Sequence, residues 1–89
     1  MTLTNAGSGK VLDVSGGSTA NGANVQQYAG NGTWAQKWIA VKNSDGSVTL
    51  RTAAAEGMVL YISGASTANG ANVQLYAGNG TNAQKWVVK

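Results

Sequence analysis

Apolar residues along this chain come in short bursts separated by turn-forming residues. Val11-Leu12-Asp13-Val14 is followed by Asn24-Val25-Gln26-Gln27-Tyr28, then Lys37-Trp38-Ile39-Ala40-Val41, then Val48-Thr49-Leu50. Bursts spaced about a dozen residues apart and bounded by Gly, Asn and Ser predict short antiparallel strands. Ser15-Gly16-Gly17-Ser18 and the Asn-Gly pairs at Asn21, Asn31, Asn69 and Asn79 supply residues that tolerate positive φ, and they interrupt any helix. Ser44-Asp45-Gly46, between Val41 and Val48, reads as a hairpin tip. The pattern predicts an all-β chain.

The pattern also repeats. Shifted by 48 residues, Ser18 to Gln26 reappears letter for letter as Ser66 to Gln74, and the match resumes from Tyr28 to Thr33 and from Ala35 to Trp38. Residues 2–41 and 50–89 are identical at 26 of 40 positions. The differences concentrate at the start of each unit, where Asn5 to Lys10 faces Ala53 to Met58, and at its end. We read one two-repeat domain over residues 1–89: repeat one 1–41, a connecting hairpin 42–49 and repeat two 50–89. A period of this size marks supersecondary units that are each too small to bury their own apolar face.

Composition narrows the chemistry. The 89 residues include no Cys, His or Pro, and the acids are Asp13, Asp45 and Glu56 alone. The usual general bases and most metal ligand sets are therefore missing, so no catalysis, metal or cofactor is expected. The six basic residues, Lys10, Lys37, Lys42, Arg51, Lys85 and Lys89, give a net charge of +3 but are scattered, which argues against nucleic acid as a partner. No apolar run has membrane-spanning length, and we expect no signal peptide ahead of Thr2. The start at Met1 and the near-identity of the units lead us to expect an excised or engineered piece.

The period alone would suit a propeller blade, but Trp-Asp and kelch signatures are lacking. Present instead are Gln36-Lys37-Trp38 and Gln84-Lys85-Trp86, each preceded by a Val-Gln-x-Tyr stretch (Val25 to Tyr28; Val73 to Tyr76) and, in repeat one, by Leu12-Asp13-Val14. This order resembles the ricin B-chain type of β-trefoil lectin, found also as family-13 carbohydrate-binding modules. The resemblance implies units closing around a pseudo-threefold axis, with Trp38 and Trp86 in the shared core. It implies a secreted or extracellular parent protein and a carbohydrate partner, of galactose or lactose type or a plant polysaccharide such as xylan.

It also implies a site. In repeat one, Asp13, Gln26, Tyr28 and Gln36 would hold the sugar, with Gly16 and Gly17 allowing close backbone approach. Gln74, Tyr76 and Gln84 are their partners in repeat two. Two departures stand out. Ala35 and Ala83 occupy a position where sugar-binding members often have Asn, so a hydroxyl contact would come from Asn31, Asn79 or Asn82. Tyr61 replaces the aspartate in repeat two and cannot act as a bidentate acceptor, which makes that site degenerate. On residue chemistry alone, Gln26 and Gln36 could simply tie loops to the barrel by hydrogen-bonding backbone or Asp13, which for Gln36 is the better reading, and Tyr28 could be wall rather than platform. Asp13 is hardest to explain structurally, since a carboxylate among apolar strand residues is unfavourable unless paired or functional. Trp34, whose counterpart is Asn82, need not be core. Asn31-Gly32-Thr33 and Asn79-Gly80-Thr81 match a glycosylation pattern but read as turns.

Two units cannot close a threefold barrel. We therefore expect oligomerisation to complete it, as a homotrimer whose six units make two trefoils. The alternative to a working sugar-binding module is a symmetrised repeat fragment serving as a folding or assembly model, with vestigial sugar binding.

Overall fold

The computed structural model describes residues 1–88; Lys89, the last residue of repeat two, lies outside the described residues. Each predicted burst forms a strand: β1 (Val11–Val14), β2 (Val25–Tyr28), β3 (Trp38–Lys42), β4 (Val48–Thr52), β5 (Met58–Ile62) and β6 (Val73–Ala77). All pairing is antiparallel, in a two-stranded sheet β1-β2 and a four-stranded sheet β3-β4-β5-β6. No α-helix occurs among the described residues. Four single turns of 3₁₀ helix, Ser15–Gly17, Trp34–Gln36, Ser63–Ala65 and Asn82–Gln84, sit at matching places in the two units. They are too short to leave a periodic signal in sequence.

The predicted hairpin tip joins β3 to β4. Asp45 Oδ1 accepts from the Ser47 hydroxyl (2.6 Å) and the Ser47 backbone N–H (2.9 Å). These bonds, and more weakly the Lys85 ammonium 3.5 Å from Oδ2, hold the Asp45 carboxyl below its ordinary pKa. Both tryptophans carry their indole N–H to a strand carbonyl, Trp38 to Leu12 (3.2 Å) and Trp86 to Leu60 (3.4 Å). That satisfies the one polar group a buried indole brings with it.

The core mixes residues of both units: Val14, Val25 and Trp38 from the first pack with Leu60 and Leu75 from the second. A loop of repeat one seals the junction by docking on β6. Gly22 N–H donates to the Leu75 carbonyl and Leu75 N–H to the Ala23 carbonyl, both at 2.8 Å, and Ala77 N–H donates to Asn21 Oδ1 at 2.9 Å.

Burial is asymmetric between the copies. Trp38, Val14 and Val25 are buried, whereas their counterparts Trp86, Ile62 and Val73 are only half-buried. Val87 and Val88, which match Ile39 and Ala40 of β3, have no partner strand among the described residues, and Val88 is 82% exposed. On the opposite edge, Gln27 occupies in β2 the place of Leu75 in β6, and no loop docks on its outward backbone groups among the described residues. The docking loop itself exists twice, since Asn69-Gly70-Ala71-Asn72 is identical to Asn21-Gly22-Ala23-Asn24. The fold is two-thirds of a β-trefoil, with one unit-sized side open.

Candidate functional site

Strand alternation sorts the site from the core. In the β1-β2 ladder Val11 pairs with Tyr28, Leu12 with Gln27, Asp13 with Gln26 and Val14 with Val25. Side chains two apart share a face, so Val11, Asp13, Gln26 and Tyr28 line one side while Val14 and Val25 enter the core on the other. The two-residue period thus gathers three of the implied ligand residues without any long-range packing.

These residues wall a cleft of about 560 Å³, lined by Asp13, Gly16, Gly17, Gln26, Tyr28, Asn31, Thr33, Trp34, Ala35 and Ala54. Its size falls within the range of small-ligand sites, roughly 300–1,000 Å³. Asp13 forms the floor and is 6% exposed. Its Oδ2 accepts from Gln36 Nε2 at 2.9 Å, while Oδ1 takes no hydrogen bond among the described residues. One carboxylate oxygen is therefore anchored and the other is free for a ligand. Gly16 and Gly17 adopt φ of 65° and 64°, and a Cβ on either would meet no protein atom within 4 Å. Glycine there serves the left-handed turn and keeps the mouth of the cleft open.

Gln36, which the resemblance implies as a ligand residue and the residue chemistry as a tie between loop and barrel, makes the tie. It is buried, and its amide is fully used: Oε1 accepts from Asn31 N–H (2.8 Å), and Nε2 donates to the Ala29 carbonyl (2.9 Å) as well as to Asp13. With both Nε2 protons given to Asp13 and Ala29 and Oε1 bonded to Asn31, the buried Gln36 positions Asp13 and the loop. Asn31 lines the cleft; its Oδ1 accepts from Thr33 N–H (3.1 Å) and Thr33 Oγ1 (2.8 Å), while its Nδ2 donates to no group among the described residues. Asn79 and Thr81 repeat these bonds, so both Asn-Gly-Thr triplets are built as turns.

Repeat two forms a matching cleft lined by Tyr61, Ile62, Ala65, Ser66, Thr67, Asn79, Thr81, Asn82 and Ala83. Gln74 stands opposite Tyr61 in the β5-β6 ladder, and Gln84 is buried like Gln36. Tyr61 stacks on its diagonal cross-strand neighbour Tyr76, with ring centroids 4.9 Å apart and planes 30° from parallel. The aromatic that would be the platform is thereby covered by the residue that replaced the carboxylate. Gln74, Tyr76, Asn79 and Gln84 are brought together, but around no acid.

Four residues that line the first cleft, Thr33, Trp34, Ala35 and Ala54, were not among its expected ligands. Trp34 lines it from the 3₁₀ turn Trp34–Gln36, and Ala54 reaches it from the loop after β4, in the other repeat. Trp34 carried a signal in its mismatch with Asn82; Ala54 carried none, since only the folded contact between units brings it there. Among the described residues no group of three or more His, Cys, Asp or Glu could hold a metal ion.

Residues 1–76 match the model of the ricin-type β-trefoil lectin domain-like family. Among solved structures the chain is similar to a designed threefold symmetric protein, ThreeFoil, with 41% identity and a TM-score of 0.93 over 97% of this chain and 61% of that one. It is also similar to an exo-β-1,3-galactanase from Clostridium thermocellum, with 28% identity and a TM-score of 0.92 over 97% of this chain and 18% of that one. A mosquitocidal holotoxin shares the fold, with a TM-score of 0.89 at 19% identity over 99% of this chain and 11% of that one. The chain thus spans 61% of the first of these proteins and much smaller shares of the other two. No curated protein sequence matches it significantly. With the Gln-x-Trp tryptophans in the shared core and a family model covering most of its length, the chain belongs to the ricin-type β-trefoil lectin domain-like family.

Proposed function

We propose that this chain is a non-catalytic carbohydrate-binding module with one working site per chain, in repeat one. The observation that carries the reading is Asp13: a buried carboxylate fixed through one oxygen by Gln36, with the other open to a cleft beside the 53% exposed Tyr28. Vicinal hydroxyls of a pyranose donate to such a carboxylate in charge-assisted bonds, and the apolar face of the ring packs on an aromatic. Gln26, next to Asp13 across the ladder, offers an amide to a further hydroxyl. The likeness to a galactanase favours a galactose-type ligand such as galactose or lactose, with xylan-type polysaccharides as the alternative. Binding without turnover suits a site whose only acid is Asp13, and a module of this kind belongs to a parent protein acting on glycans outside the cell.

A single shallow site of this sort binds at about millimolar, roughly 4 kcal/mol. In an amide-resolved NMR titration with lactose and galactose we expect saturable shifts in Asp13, Gly16, Gly17 and Gln26, at one equivalent per chain, with Gln74 and Ser66 unmoved. A glycan array that stays blank at high protein concentration, together with no shifts in the titration, would remove the reading.

We further propose that the open side is completed by association, three chains making two trefoils and one of them dividing its units between the two. The half-buried Trp86, Ile62 and Val73, the unpaired edge at Val87 and Val88, and the second copy of the docking loop at Asn69 to Asn72 support this. Several sites on one particle then gain through avidity. Light scattering on the purified protein should return three times the 9.0 kDa chain mass, and a concentration-independent monomer excludes the assembly. The reading of the chain as a symmetrised folding model rests on the near-identity of its repeats and is compatible with a retained sugar site.

A further inference from the structure

We infer that Trp34 forms a second stacking platform, making the first cleft an oligosaccharide site with two subsites where repeat two offers at most one. The inference rests on the carbohydrate reading above. Four observations carry it. Trp34 is 63% exposed although it is the largest side-chain type in the chain, so burial does not account for its presence. It lines the same cleft as Asp13 and Tyr28 but comes from a different wall: Tyr28 projects from β2, whereas the 3₁₀ turn bearing Trp34 packs against β1 and against the turn of Gly16 and Gly17. The ammonium of Lys37 lies over the indole, 4.8 Å from the ring centroid. A cation held over one face orients the ring and leaves the other face for a ligand. Finally, Lys37 and its counterpart Lys85 are conserved between the repeats, while the aromatic is not: Asn82 stands in the same turn with the same backbone bonds, the Lys85 N–H donating to the Asn82 carbonyl as the Lys37 N–H does to that of Trp34, both at 3.1 Å. The indole is therefore not needed to form the turn.

A pyranose seated by Asp13 against Tyr28 uses one aromatic wall. A second ring joined to it by a glycosidic bond extends across the cleft, and its apolar face meets the free face of Trp34. This makes Trp34 a determinant of chain length in the ligand, not of the identity of the first sugar.

The test compares galactose with lactose, and xylose with xylotriose, on the full chain and on Trp34→Asn, the residue that repeat two already accommodates. The parent protein should bind each oligosaccharide about tenfold more tightly than its monosaccharide, with the oligosaccharide protecting tryptophan fluorescence from acrylamide quenching. In Trp34→Asn the monosaccharide affinity should stay within about twofold while the oligosaccharide gain and the protection vanish. A parent protein that binds through Asp13 but shows no oligosaccharide gain, or a variant that weakens both ligand lengths equally, overturns the second platform and leaves the first site standing. A parent protein that binds none of the four sugars overturns both. Matching urea midpoints for the two proteins separate any loss from unfolding.

Discussion

Replacing Trp38 by alanine should leave most of the protein unfolded at room temperature, while the same change at Trp86 should be survivable. Trp38 is 0% exposed and contacts the core contributed by both repeats. Removing a buried Trp costs roughly 3–5 kcal/mol through lost transfer energy and the cavity left behind. It also strands the Leu12 carbonyl, which receives the indole N–H; an unsatisfied buried acceptor adds about 1–3 kcal/mol. Against this stands a small domain whose total stability is expected near the lower part of the usual range, roughly 5–15 kcal/mol. Trp86 has the same sequence context but is only half-buried, so truncation exposes less new apolar surface and leaves a space that solvent already reaches. Urea unfolding followed by circular dichroism should show the Trp38→Ala transition displaced to near zero denaturant and the Trp86→Ala transition displaced by less than half as much. The contrast belongs to the isolated chain, measured at concentrations below association; in the proposed assembly, where the open side is closed, the two losses should converge, and a smaller loss at Trp38 in either state would contradict the core described above.

That contrast marks where sequence stops informing. Strand positions, the hairpin tip at Asp45 and the placement of Asp13, Gln26 and Tyr28 on one face follow from alternation and turn chemistry, which act over a few residues and leave a direct trace. Trp38 and Trp86 are indistinguishable by that test, because their difference arises from how many units surround them. Gln36 was legible as a motif residue and its tie to backbone or Asp13 as the better reading of its chemistry, but the three partners together, Ala29, Asn31 and Asp13, are fixed by a loop and a turn whose path no periodicity encodes. Ala54 reaches the cleft of repeat one from repeat two, a contact between residues about forty apart that exists only once the units dock. Trp34 shows the intermediate case, since its mismatch with Asn82 flagged it as unneeded by the frame, whereas the cleft it faces had to be seen.

The reciprocal changes at Asp13 and Tyr61 should move the sugar site from one repeat to the other. The amide that would hold an acid at position 61 is already in place. Gln84 is held as Gln36 is, with Oε1 accepting from Asn79 N–H (2.8 Å) and Nε2 donating to the Ala77 carbonyl (2.9 Å). Its second Nε2 proton, which in Gln36 goes to Asp13, has no hydrogen-bond acceptor among the described residues. Tyr61→Asp supplies that acceptor and at the same time lifts the ring that stacks on Tyr76 at 4.9 Å. The new carboxylate gains an oriented amide donor, which offsets part of the cost of burying it. Turn geometry poses no obstacle, because Ala65 already takes the left-handed conformation of Gly17, with φ of 53°. Isothermal titration with galactose should therefore read two equivalents per chain for Tyr61→Asp, none for Asp13→Tyr, and one for the double variant. The site restored in repeat two carries Asn82 where repeat one has Trp34, so lactose should bind there no more tightly than galactose. A folded Tyr61→Asp protein that still binds one equivalent would show that loss of the carboxylate is not what silences repeat two. Binding retained in Asp13→Tyr would remove the carboxylate from the mechanism altogether.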